Sequence, residues 1–176
     1  MNKKLYFSFI LISVLVMLTR FLPMPANFSP LFGWAIFSGA YFSKNQWLLI
    51  LPMILLIVFD SMVGIHASAY VVWFCFLAIS MMSRLVVKKD KIKLVNLAVM
   101  SGSAPLFFFL VTNFEVWLNM GLYPKNMGGL LSSYVAALPF YHMSLLSSAL
   151  FTVVFFGSWA YLKKFKVMPE KSFSIR

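Results

Sequence analysis

Cysteine occurs once, at Cys75, so the chain can form no internal disulfide and no cluster of cysteines can hold a metal. Acidic residues are nearly as scarce, with four Asp and Glu against 15 Lys and Arg. Asp60 lies in a predicted span and Glu115 in a different segment of the chain, and the other two acids fall on the predicted cytoplasmic side, so no carboxylate pair is set up for acid–base catalysis. The H-E-x-x-H and G-x-S-x-G patterns of hydrolases are absent. So is the G-x-x-x-x-G-K-[ST] pattern, which excludes ATP hydrolysis by the P-loop route. His66 and His142 have no third ligand at fixed spacing and make no metal site.

Apolar residues are abundant. They make up 62% of the chain, charged residues 11%, and the mean hydropathy is +0.90. Soluble proteins are about 45–50% apolar and about 25% charged. The composition predicts an all-α, polytopic membrane helix bundle forming a single membrane domain over residues 1–176. Its length accommodates about six transmembrane helices of roughly 20 residues each. The net charge of +11 does not point to nucleic acid, because the basic residues flank apolar spans. There they set topology and meet anionic lipid headgroups. Lys3-Lys4 and the apolar run after them resemble a signal peptide, but Met24-Pro25-Ala26 is a poor cleavage site, which predicts a retained first helix.

The predicted spans are 5–21, 30–43, 46–64, 69–87, 94–111 and 143–162. Pro23 and Pro25 stop the first, because proline has no N–H and restricts its predecessor. The segment Asn27-Phe28-Ser29-Pro30 reads as the turn that starts the second. Gly33, Ser38, Gly39 and Ala40 in that span predict a helix buried among its neighbours. With both termini cytoplasmic, only Arg20 and Lys125 of the 15 Lys and Arg fall outside, which predicts an even number of spans in a bacterial inner membrane.

Residues 112–142 then form an external capping segment, polar, aromatic and glycine-rich, over a cavity between the helices. Candidate substrate-binding residues on this side are Asp60, His66, Tyr70, Asn113, Trp117, Tyr123, Tyr141 and His142. Asp60, an acid inside a span, either lines the site or anchors the bundle with Arg20 as partner. Asn113 either exposes its polar groups to a solute or caps the end of the fifth span. The aromatic residues either stack on a flat ligand or form the interfacial belt. The two histidines are either ligands or hydrogen-bonded loop residues.

Several stretches carry a resemblance: Arg20-Phe21-Leu22-Pro23, Asn27 to Pro30, Phe37 to Phe42, Asp60, Thr112 to Trp117, Tyr123 to Asn126 and Leu138-Pro139-Phe140. They resemble a bacterial family of predicted transport proteins of unassigned function. That family is similar to the substrate-binding S components of energy-coupling-factor vitamin transporters, and solitary cobalamin transporters look like its relatives. The resemblance implies an S-component-like fold and a small-molecule solute, a vitamin, with cobalamin or another corrinoid the best single choice. It also implies an axial cobalt ligand at Cys75, whose other reading is an inert buried hydrophobe. Among partners it adds an energising ATPase module beside the lipid bilayer. The first helix lacks the small-xxx-small pair that such docking uses, which favours a solitary transporter. No resident cofactor is expected. The chain departs from the family at Phe59, at His142-Met143 and at Ser147-Ser148. The alternative to transport is a membrane-embedded enzyme, or a non-catalytic assembly protein acting through its basic loop.

Overall fold

The computed structural model describes residues 3–41, 46–65, 67–88 and 92–164. They form six α-helices, and no strand occurs among the described residues. The helices are α1 (Lys3–Leu18), α2 (Leu31–Tyr41), α3 (Gln46–Val63), α4 (Ala69–Val86), α5 (Leu94–Asn119) and α6 (Met127–Lys164). A 3-10 turn, Thr19–Phe21, prolongs α1. Among the described residues three helical stretches are long and apolar enough to cross a membrane: Ala69–Val86, Leu94–Asn119 and Met127–Tyr161. Shorter apolar stretches are Phe9–Phe21, Leu31–Tyr41 and Pro52–Val63. At 1.5 Å per residue α2 reaches only about 16 Å, roughly half a bilayer core of ~30 Å.

Local chemistry sets the helix ends. Thr19 donates its hydroxyl to the Val16 carbonyl at 2.6 Å, and Pro23 and Pro25 then keep the chain from resuming a helix. Ser29 Oγ accepts from the Leu31 N–H at 3.3 Å, and Pro30 adds the fixed φ that favours a helix start.

The small residues of α2 act as expected. Every residue from Leu31 to Ala40 is buried. A Cβ on Gly33 would fall 2.5 Å from the Phe151 backbone of α6, and one on Gly39 would collide with the Ser80 carbonyl of α4. Ser83 donates to the Ile36 carbonyl at 2.6 Å across the α2–α4 contact. Rings fill the rest: Phe9 stacks on Trp34 at 4.8 Å, and Phe32 meets Phe76 at 5.2 Å and Phe108 at 5.4 Å. Because lipid is as apolar as the helix faces, close packing of this kind holds a membrane bundle together.

The segment expected to be an external cap is helical instead. The helix α5 continues to Asn119, α6 begins at Met127, and only residues 120–126 form a turn. The polar residues that suggested a loop satisfy themselves within the helix. Thr112 Oγ1 donates to the Phe108 carbonyl and Asn113 Nδ2 to the Phe109 carbonyl, both at 2.8 Å. Gly128 and Gly129 open α6, where Asn126 Oδ1 accepts the Gly129 N–H at 2.9 Å. A side chain at 129 would strike the Pro124 carbonyl. The resulting antiparallel hairpin is zipped near its tip by Tyr134, which donates to the Leu110 carbonyl at 2.9 Å, and by the Phe109–Tyr141 ring contact at 4.9 Å.

Candidate functional site

Three polar assemblies lie at the tip end of the bundle. The first is built on Asp60, in the last turn of α3 and only 1% exposed. Its Oδ1 faces Arg20 Nη2 at 2.6 Å and its Oδ2 accepts the Trp73 Nε1–H at 2.7 Å. The pairing is monodentate and off the ideal hydrogen-bond direction, since Arg20 Nε is buried without an acceptor and Oδ1 receives no well-angled hydrogen bond. Asp60 thus ties three elements together: the turn after α1, the end of α3 and the start of α4.

The second centres on Glu115, a residue absent from the candidates drawn from sequence. It is 7% exposed, on the α5 extension. Ser68 donates to Oε2 at 2.5 Å, Tyr70 to Oε1 at 3.3 Å, and Asn119 Nδ2 lies 3.5 Å from Oε1. Ser68 occupies the N-cap position of α4 but makes no capping bond there, and its hydroxyl instead donates to Glu115. The rule that flags acids within apolar spans would have found Glu115 had its segment been read as helix.

The third is a pocket of about 70 Å³ lined by Asn27, Thr112, Asn113, Ala137, Tyr141 and Ser144 together with Phe108, Phe109 and Phe140. It joins the turn before α2 to α5 and α6. Of the residues expected to bind solute, the structure brings Asn113 and Tyr141 together here. Pro105 and Pro139 interrupt the hydrogen-bond ladders of α5 and α6 within about one turn of its walls.

The other candidates sit elsewhere. Trp117 and Lys125 lock the tip turn. Trp117 Nε1 donates to the Pro124 carbonyl at 2.9 Å, and Lys125 Nζ donates to the carbonyls of Trp117 and Leu118 while lying 5.5 Å over the Trp117 ring. A cation at a helix C-terminus is favourably placed against the dipole. Tyr123 is half-buried in the same turn, and His142 is exposed on α6. Tyr70 is exposed apart from its bond to Glu115. His66 lies outside the described residues. Cys75 has no exposed surface and does not line the pocket. No group of three or more His, Cys, Asp or Glu that could hold a metal occurs among the described residues.

These features define an all-helical membrane bundle whose two described carboxylates are both buried and both hydrogen-bonded at one end. The chain belongs to the family of unknown function DUF6580, which matches it over residues 1–170. Comparison with the curated proteins returns no match, nor does comparison with the solved structures.

Proposed function

We propose that this protein is a membrane transporter, or the substrate-binding membrane subunit of one, for a small solute of the vitamin class. The observation that carries the reading is the pocket between Asn27, Asn113 and Tyr141, polar on several sides and flanked by a proline within each of the continuous helices α5 and α6. A proline withholds one N–H from the helix ladder and so leaves a backbone carbonyl free to meet a solute at depth. A proline in each wall lets the tip half of α6 swing away from α5. At about 70 Å³ the pocket has room for roughly two waters of ~30 Å³ each, so a vitamin enters only as the hairpin opens.

A corrinoid is the largest solute in this proposal and needs the widest opening. Cys75 serves as its axial ligand only if the opening also uncovers that buried thiol. Arg84, Lys88 and Lys93, at the ends of α4 and α5 away from the tip, and the excess of Lys and Arg that the predicted topology puts inside support an inner-membrane location with both termini cytoplasmic and the tip outside.

The test is a melting screen of purified protein against vitamins and their precursors, cyanocobalamin included. A bound solute stabilises by RT ln(1 + [L]/Kd), about 2.7 kcal/mol at a hundredfold excess over Kd. The expected result is a melting temperature that climbs with free solute and a response lost in Asn113→Leu. A flat response to every compound would refute the proposal. For cyanocobalamin, equal affinity and an unchanged visible spectrum in Cys75→Ser would remove the cysteine from the mechanism.

A further inference from the structure

A second hollow, about 520 Å³, opens between the base halves of α5 and α6. Its volume falls within the roughly 300–1,000 Å³ of ordinary ligand sites. Leu94, Ala98 and Gly102 form one wall and Leu145, Ala149 and Val153 the other, each set spaced four residues apart along a single helix face. The two helices touch along the tip half through Tyr134, Leu110, Phe109 and Tyr141, then part toward the base. Small side chains at 98, 102 and 149 keep the gap open, and a Cβ at Gly102 would meet nothing within 4 Å.

Two features say what fills it. The cleft runs to Leu94, the first residue of α5, where Lys93, Lys88 and Arg84 are all exposed around the connection from α4. This apolar slot therefore ends at a cationic mouth. The Thr152 hydroxyl, on the cleft wall beside Val153, is buried and has no hydrogen-bond partner. The antiparallel register puts it near the level of Leu94, close to the mouth. The cleft is a slot of ~12 Å along the helix axes, which a single alkyl chain fills, and its cationic mouth suits an anionic headgroup.

We propose that the cleft holds one acyl chain of an anionic glycerophospholipid from the surrounding bilayer. Its phosphate lies against Lys88 and Lys93, and a turn of the Thr152 side chain toward the cleft lets an ester oxygen accept its hydroxyl. The site is separate from the solute pocket and does not depend on it.

Native mass spectrometry of the full chain in detergent, with phosphatidylglycerol and phosphatidylcholine of equal chain length as probes, tests this. The expected result is one phosphatidylglycerol retained per chain in preference to phosphatidylcholine. Gly102→Leu fills the slot and abolishes retention, while Gly157→Leu, equally unobstructed but off the cleft, leaves it intact. Should Gly102→Leu fail to fold, Ala149→Leu fills the slot from the α6 side. Replacing both Lys88 and Lys93 with Gln lowers the preference for the anionic lipid about 25-fold, at roughly fivefold per cation. Equal binding of the two lipids, retention unchanged when the slot is filled, or a dimer that Gly102→Leu dissociates would each overturn the proposal.

Discussion

Replacing Gly39 with alanine tests the packing at the centre of the bundle. An added Cβ would collide with the Ser80 carbonyl and approach the Ser83 side chain at 3.0 Å. Because the obstacle is backbone, α2 and α4 must separate. Overpacking of this kind costs about 1–3 kcal/mol. Separation also stretches the 2.6 Å bond from Ser83 to the Ile36 carbonyl, for a further ~0.5–1.5 kcal/mol. Against this stands the helix preference of Ala over Gly, about 0.5–1 kcal/mol. The net expectation is a loss of roughly 1–3 kcal/mol. The same replacement at Gly157, where nothing lies within 4 Å, leaves only the propensity gain and raises stability by about 0.5–1 kcal/mol. Thermal unfolding in one detergent reads both. Equal signs for the two variants, or a Gly39→Ala protein as stable as wild type, would refute the proposed α2–α4 contact.

The polar assemblies and the tip turn give four further outcomes. Trp73→Phe removes the donor to a buried carboxylate oxygen and lowers stability by about 1–3 kcal/mol in the same unfolding assay. Asp60→Asn, which leaves Arg20 without its counter-ion, costs about 3 kcal/mol, and a double-mutant cycle with Arg20→Gln returns a coupling above ~1 kcal/mol. Ser68→Ala strips Glu115 of its shortest hydrogen bond, lowers stability by about 1.5–3 kcal/mol and speeds amide exchange at the start of α4. Lys125→Met frees the last carbonyls of α5 and raises amide exchange across 117–126, at a cost of about 0.3–1 kcal/mol.

Helical class and much of the inner packing were legible in the chain. Gly33 and Gly39 announced a buried α2, since only missing side chains allow helices that close, and Pro23 and Pro25 marked the end of α1. The tip hairpin was not legible. Thr112, Asn113 and Ser132 look like loop residues, yet each returns its hydrogen bond to a carbonyl four residues back, so polarity there does not interrupt the helix. Reading that stretch as a roof also concealed Glu115, whose burial depends on α5 continuing past Val111. Asn113 and Tyr141 meet in the pocket because the hairpin is antiparallel, a pairing that requires a turn as short as 120–126. Trp117 and Tyr123 carry the aromatic character of a binding loop but lie in the region of that turn.

A solute pocket at the outward end of the bundle is the central claim, and thiol labelling on intact cells tests it most directly. Ala137→Cys in a Cys75→Ser background places one thiol in the pocket wall. The expected result is that a membrane-impermeant maleimide reaches this thiol from outside, and that a vitamin which raises the melting temperature slows the reaction. Labelling only from the cytoplasmic side, or at a rate no such vitamin alters, would contradict it.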